Sequence, residues 1–251
     1  MNLNRIRTYC GEPTEVLGAG FIYPVKLLEW DRFILLASKF LMTSDLFLRR
    51  RLELSEQIKL FDFITVNAIV NSSDGYSGLN DIAEAFSIVF RKEVKVGLRG
   101  KAKNQEVYFS VAKMGIIDRN NYDEVRKVIM EQNLMFDPIV AKDEKSQKII
   151  DRGIERLRSG NPEVDIESMI VAVSIFKEID LNNLTYYQLR ADFEMISRIE
   201  TNRAIPIYRA NGADVEPMNL TQELSIHKNP YGADVLFRKR NDAETMDMLK
   251  R

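Results

Sequence analysis

The clearest folding signal in this chain is LTYYQLRADFEMISRI, which spans residues 184–199. Thr185 and Gln188 stand three residues apart in the order of a capping box, and Leu184 and Leu189 occupy the positions of a hydrophobic staple. Apolar residues then recur at spacings of three and four, which places them on one stripe of a helix: Tyr186, Leu189, Phe193, Ile196 and Ile199. The segment therefore predicts an amphipathic α-helix whose apolar stripe packs against a partner.

The segment before it predicts a second helix that pairs with the first. Asp165 is a favoured N-cap residue, and the apolar residues after it share one side of a helix: Ile166, Met169, Ile170, Val173 and Phe176. Residues 180–183 form a short polar turn between the two segments. We therefore predict a helical hairpin over residues 165–203.

The regions that flank this hairpin lack a comparable pattern. Residues 139–164 are mostly charged, so we interpret them as a charged connector, in which the Glu144–Lys148 pair would stabilise a helix by only a few tenths of a kcal/mol. Residues 204–251 contain scattered prolines and glycines and weak periodicity, which predicts an extended C-terminal arm. Apolar islands at 218–224 and 235–237 fit two alternatives equally well, docking on a partner or packing on the chain's own helices.

Residues 1–138 predict an α+β domain with N-terminal helices and a small antiparallel sheet. Strands are indicated by the alternation of apolar and polar residues at 94–99 and 107–112, and a short hairpin by the glycines and proline of 15–26. Helices are predicted over 27–42, from a cap at Ser55 through Ile69, from a cap at Ser77 through Phe90, and from Asn121 to about Gln132. The whole chain is therefore an α+β protein that ends in a helical hairpin and an extended tail.

Composition limits the classes of function. The chain has 251 residues, a hydrophobic fraction of 45% and a formal net charge of -1, which is too balanced for a dedicated nucleic-acid coat or membrane-surface protein. A single cysteine, Cys10, cannot form an internal disulfide, and we see neither a signal peptide nor a membrane-spanning stretch. These features predict a cytoplasmic protein without a membrane partner.

No residue pattern of catalysis stands out. His227 is the only histidine and lies in the weakly patterned arm, so a histidine metal cluster is excluded and a general base there would lack a preorganised pocket. Gly18-Ala19-Gly20 lacks the third glycine of a dinucleotide fingerprint, because Tyr23 stands in its place. The sequence therefore predicts a protein that is not an enzyme and has no cofactor or metal. The stretch 91–103 is basic, and Tyr108 and Phe109 lie on the neighbouring predicted strand. A nucleic-acid-binding face at this place is therefore a less favoured alternative.

Three motifs carry a resemblance to a known group of proteins. They are IDRNNYDE at residues 117–124, VIMEQNLMF at 128–136, and LTYYQL at 184–189 with Asp192, Phe193 and Arg198 behind it. With these motifs the chain resembles bacteriophage proteins that are encoded among virion and tail genes and are taken to be tail assembly chaperones. The motifs cover about a third of the chain, and each is a helix-start or core pattern rather than a catalytic signature.

The resemblance implies a non-enzymatic role in tail assembly, in which the protein holds tape-measure or tail-tube proteins in the host cytoplasm. Apolar positions on the 184–199 helix exceed a single stripe, so we expect a partner to contact two groups of residues: Tyr187, Met195 and Ile199 if the outer side of that helix is exposed, and Leu224, Ile226 and Phe237 in the arm. The arm would equally suit a structural component of the virion tail or neck that contacts neighbouring subunits, and self-association uses the same residues.

Overall fold

The computed structural model describes residues 3–37, 41, 59–72, 76–100, 105–137, 139–141, 143–160, 164–230 and 232. These residues form eight α-helices: α1 (Leu3–Tyr9), α2 (Trp30–Ala37), α3 (Leu60–Val70), α4 (Ser77–Phe90), α5 (Tyr122–Gln132), α6 (Glu144–Gly160), α7 (Ile166–Ser174) and α8 (Tyr186–Ala210). The strands are β1 (Thr14–Val16), β2 (Gly20–Ile22), β3 (Val94–Arg99), β4 (Glu106–Val111) and β5 (Gly115–Ile117), and 3-10 turns lie at Leu27–Glu29 and Ser225–His227. The α+β prediction is confirmed.

Two small antiparallel sheets form the β-structure. β1 and β2 make the predicted short hairpin, and β3, β4 and β5 make a three-stranded meander in that order. The alternating residues pair as expected, with Val94 opposite Val111 and Arg99 opposite Glu106. β5 was not predicted, because a strand of three residues is too short to show alternation. The Ile116 N–H donates to the carbonyl oxygen of Gly18 at 2.9 Å and so joins β5 to the turn of the hairpin.

The main hydrophobic core lies between the meander and α4. Phe109 on β4 is fully buried and meets the ring of Phe86 on α4 edge-on, with ring centroids 5.2 Å apart. Phe61 on α3 and Tyr122 on α5 pack beside these two rings. Because α4 contributes its apolar stripe to the same core, it is the central helix of the N-terminal part: Leu79, Ile82, Phe86, Val89 and Phe90 are all buried.

The predicted helix starts in this part are correct to within a few residues. α4 begins at Ser77, but Tyr76 occupies its N-cap position. Asn121 occupies the N-cap position of α5, yet its side chain bonds the preceding turn, where its Oδ1 accepts from the Asp118 N–H and its Nδ2 donates to the Ile116 carbonyl. The predicted helix over 27–42 is a 3-10 turn followed by α2, and the predicted cap Ser55 lies outside the described residues.

The charged connector contains a helix. α6 spans 17 residues, and the Nζ of Lys148 lies 2.8 Å from Oε1 of Glu144 on its surface. Asp143 caps its start, since its carboxylate accepts from the N–H and the hydroxyl of Ser146. Ile150 is its buried apolar anchor. The segment is thus mainly a capped helix with an exposed charged surface, rather than an irregular linker.

The C-terminal hairpin is present and its capping signals are confirmed. Thr185 and Gln188 form the capping box of α8, Asp165 caps α7 through the Ser168 N–H, and the staple residues Leu184 and Leu189 are buried. The stripe packs as predicted against α7 around Met169 and Val173, with Tyr186, Phe193 and Ile196 beside them. The Leu27 N–H donates to the Leu184 carbonyl at 2.8 Å, and Tyr186 stacks on Trp30, so the hairpin is joined to the N-terminal part.

The extended arm predicted from residue 204 is wrong at its start. α8 continues through Pro206 and ends at Ala210, so residues 204–210 are helical. A proline removes one backbone donor from a helix but does not abolish a helix that tertiary contacts hold, and Ile205 is buried beside it. Beyond Asn211 the chain turns back along α8. We call residues 211–230 the return segment.

Candidate partner-binding surfaces

The six residues expected to contact a partner have different surroundings. Tyr187 and Ile226 are only 4% and 7% exposed. The expected contact at Tyr187 requires an exposed outer side of α8, and this condition is not met at that residue; Ile226 is likewise buried within the chain. Met195, Ile199 and Leu224 are half-buried, and Phe237 lies outside the described residues. The second apolar side of α8 is therefore largely covered by the chain itself.

Tyr187 is covered by the return segment. Its hydroxyl lies 3.4 Å from Nε2 of His227, and the two ring centroids are 5.7 Å apart. Burial raises the pKa of the Tyr187 phenol. Burial and the nearby Arg5 guanidinium lower the pKa of His227, while Glu223 and Glu194 oppose that shift. The only histidine therefore takes part in the packing of the return segment on α8.

A column of three polar side chains on α8 binds the main chain of the return segment. The carboxylate of Glu194 accepts from the N–H of Ser225 at 2.7 Å and from the N–H of Ile226 at 3.0 Å. The guanidinium of Arg198 donates to the carbonyls of Gln222 at 2.8 Å and Glu223 at 2.9 Å, and also pairs with Glu194 at 2.5 Å.

Asn202 completes this column one turn further along the helix. Its Nδ2 donates to the Met218 carbonyl at 2.8 Å, and its Oδ1 accepts from the Met218 N–H at 2.7 Å. The spacing of four residues places Glu194, Arg198 and Asn202 on one face of α8. We call these three residues the main-chain-binding column. The sequence analysis missed them, although polar residues at i, i+4 and i+8 beside an apolar stripe are a signal that could have indicated a second, polar contact.

Asp192 links α8 to two other elements. Its carboxylate accepts from the Tyr9 hydroxyl of α1 at 2.7 Å and pairs with Lys177, which follows α7. Burial and the hydrogen bond to Asp192 raise the pKa of Tyr9 to about 12. Because both partners are satisfied by this packing, the arrangement is structural and does not resemble an activated acid or base.

An exposed apolar surface lies on the outer side of α7. Val171 lies on α7, and Ile175, four residues later, is the C-cap residue of that helix, so the two are neighbours on that side. They are 57% and 75% exposed. Phe176, which was expected on the packed stripe of this helix, instead follows the helix end and is 46% exposed. We call these three residues the α7 apolar surface. Single exposed apolar residues are ordinary on proteins, but a group on one helix end is typical of an interaction site.

Part of the basic stretch 91–103, the less favoured candidate for a nucleic-acid face, is paired with acids. Arg99 bonds Glu106 and Asp118, each at 3.0 Å, and Lys95 lies 3.2 Å from Glu93. Arg91 lies over the ring of Tyr23. Residues 101–104 of the stretch lie outside the described residues. Arg91, Lys95 and Arg99 thus already have anionic or aromatic partners, which reduces the positive charge that these three side chains offer to phosphates.

Within the described ranges, no group of three or more histidine, cysteine, aspartate or glutamate side chains could hold a metal ion. None of the helices in the described parts of the chain combines the length and the apolar character that a bilayer-spanning segment needs. Cys10 is an exposed free thiol on the turn after α1.

Comparisons with known proteins add no relative to this description. No family model, no curated protein and no solved structure matches the chain.

Proposed function

We propose that this protein is a non-enzymatic bacteriophage assembly factor that binds tape-measure or tail-tube proteins before they polymerise. The observation that carries the proposal is the α7 apolar surface, which stays exposed although the opposite side of the same helix is packed into the hairpin core. The resemblance of the 117–124, 128–136 and 184–189 motifs to tail assembly chaperones supports the choice of partner.

The energetics favour an apolar partner at this surface. Burying an aliphatic or aromatic side chain of this size contributes about 1.5–3 kcal/mol. Val171, Ile175 and Phe176 are each about half exposed or more, so covering each of them gains only the corresponding part of that free energy, and neighbouring contacts of the partner must add to it. A handful of such central anchors carries most of the affinity in protein interfaces.

The test is co-expression with the tape-measure or tube protein of the same virus, followed by size-exclusion chromatography. We expect co-elution with one of them, and we expect the double substitution of Val171→Asp with Ile175→Asp to abolish it. Ile149→Asp is the matched control, because Ile149 is an equally exposed apolar residue on α6. Failure of the unaltered protein to co-elute with either tail protein, or loss of co-elution in the control as well, would count against the proposal.

Mass spectrometry of purified virus particles separates this role from that of a structural tail or neck component. An assembly factor is depleted from mature particles, whereas a structural subunit remains in them at a fixed copy number. A structural subunit would use its arm to contact a neighbouring subunit. In this protein, by contrast, the return segment of the arm is bound to α8 of the same chain. Stable retention in particles would therefore overturn the chaperone proposal in favour of the structural one.

A further inference from the structure

The contacts between α8 and the return segment have the character of peptide recognition. The main-chain-binding column makes its hydrogen bonds to backbone N–H and carbonyl groups between Met218 and Ile226. Backbone groups are common to all peptides, so such bonds do not depend on the side chains of the segment that is bound. This face of α8 is therefore suited to hold a peptide from another protein as well as its own.

Two side chains of the return segment add specificity. Ile226 is the buried apolar anchor, at 7% exposure, and the Glu223 carboxylate pairs with Arg5 on α1. The two lie three residues apart. A competing peptide therefore needs an acidic residue followed, three positions later, by an aliphatic residue. Of the two positions between them, Leu224 is half-buried and the Ser225 side chain also bonds Glu194, so these positions add to the fit.

The attachment of the return segment is suited to exchange. Asn211 is the C-cap residue of α8, and Gly212 adopts a left-handed backbone with φ +82 just before the chain reverses. Between Ala213 and Pro217 every residue but the half-buried Val215 is exposed. The segment thus depends on the column, on Ile226 and on a few polar contacts around it to stay in place.

We propose that the main-chain-binding column marks a peptide-binding site, which the return segment fills as an intramolecular ligand and which accepts an acidic–x–x–aliphatic peptide of another protein when that segment leaves. The return segment is then an autoinhibitory strap. The site is separate from the α7 apolar surface, which lies on another helix, so binding at one can succeed when binding at the other fails.

The experiment measures binding of a fluorescent peptide in trans to the full-length protein. The probe is the synthetic peptide EPMNLTQELSIHKNP, which reproduces residues 216–230, and the readout is fluorescence anisotropy. Ile226→Asp in the protein should expel the strap and open the site, so we expect it to bind the probe more than about tenfold tighter than the unaltered protein does. Leu220→Asp is the matched control, because Leu220 is an exposed apolar residue of the same segment and its substitution leaves the strap in place.

Further variants identify the surface that binds the probe. Adding Arg198→Ala to Ile226→Asp should weaken binding more than about tenfold, since it removes the donor to two backbone carbonyls. A probe with aspartate in place of the isoleucine should not bind. Glu223→Arg is a second opening variant, and it alters no buried side chain because Glu223 is exposed. It replaces the ion pair with Arg5 by two like charges that repel each other. This variant keeps the test valid if Ile226→Asp impairs folding.

The outcomes are decisive in both directions. If both opening variants retain the helical circular dichroism of the unaltered protein yet bind the probe no more tightly, the proposal is overturned. It is also overturned if binding persists unchanged after Arg198→Ala. If sedimentation shows that an opened variant pairs with unaltered chains through Arg198, the occupant is a second copy of this chain and not a foreign peptide.

Discussion

Substituting Glu194 by glutamine tests whether a carboxylate holds the return segment. The side chain of Glu194 is 15% exposed, and its two oxygens receive the N–H groups of Ser225 and Ile226. Glutamine has the same shape but no charge, and its amide NH₂ group places a donor where one of these N–H groups needs an acceptor. The backbone of α8 and all apolar contacts stay unchanged, so the substitution affects only the polar interactions of Glu194, which include these two hydrogen bonds and the charge pair with Arg198.

The magnitude follows from the two bonds. A hydrogen bond to a charged group contributes about 1.5–3 kcal/mol, and a neutral one about 1 kcal/mol. Glutamine keeps at most one acceptor for the two N–H groups, and partial exposure reduces the value of each charged bond. We therefore expect the return segment to lose about 2 kcal/mol of docking free energy, which corresponds to an increase of about 30-fold in its opening equilibrium.

The effect should depend on pH in a defined sense. Burial raises the pKa of Glu194, but the hydrogen bonds from Ser225, Ile226 and Arg198 outweigh burial, so its net pKa lies below the ordinary 4.5. A carboxyl group with a lowered pKa in the folded state stabilises that state fully above its unfolded pKa and loses this contribution as the pH falls through the folded pKa. The difference between the two proteins should thus be constant above about pH 4.5 and shrink below it.

Hydrogen exchange at individual amides is the appropriate assay. The amides of Ser225 and Ile226 should exchange about 30-fold faster in Glu194→Gln, whereas the amide of Phe109 in the core should be unaffected. Glu200→Gln is the control, since Glu200 pairs with Arg203 on the exposed side of the same helix and does not contact the return segment through any hydrogen bond described above. Equal protection of Ser225 and Ile226 in the two variants would refute the reasoning.

Three further predictions concern stability and are measured by chemical denaturation. Thr185→Ala should cost about 1 kcal/mol, because it removes the capping box of α8; no loss would mean that packing alone fixes the helix start. Gly78→Ala should destabilise the protein by about 1–3 kcal/mol, because the added Cβ atom would lie 2.4 Å from the backbone oxygen of Ala68 and would push α3 away from α4. A neutral effect would show that the two helices can move apart without a loss of stability. Tyr122→Phe should leave stability unchanged or raise it by up to about 1 kcal/mol, because the Tyr122 hydroxyl is buried without a hydrogen-bond partner among the described residues; a loss above about 1 kcal/mol would reveal a partner for that hydroxyl.

The pH dependence of Tyr122 agrees with the last of these predictions. Burial raises the pKa of its phenol far above the ordinary value of 10.0. The hydroxyl therefore stays protonated in the folded protein, and the ionised form would be excluded from the core. Its unfolded pKa is lower, so stability at alkaline pH should fall above about pH 10 in the unaltered protein and less in Tyr122→Phe.

Local sequence signals were sufficient for much of the fold. The capping box at Thr185 and Gln188, the cap at Asp165 and the alternation in β3 and β4 each depend on residues close in sequence, and each led to the observed element. β5 and α1 were missed because three to seven residues carry too little periodicity to be distinguished from a loop.

The candidate sites could be predicted only in part. The sequence showed that α8 has more apolar positions than one stripe requires, and from this we expected Tyr187 to meet a partner. Nothing in the local pattern indicates whether such a second side is covered by the same chain or by another protein, because the two cases bury the same residue types. Tyr187 is in fact covered by His227, which lies 40 residues further along the chain.

The sequence by itself determined where the helices and the longer strands form, because caps and periodicity act over a few residues. Only the tertiary structure decided that α8 runs through Pro206, that residues 211–230 fold back, and that Glu194, Arg198 and Asn202 bind main-chain atoms 16 to 32 residues away. These outcomes depend on which backbone donors and acceptors are brought together by packing. Backbone groups are the same at almost every residue, so no side-chain pattern in the return segment could indicate their partners.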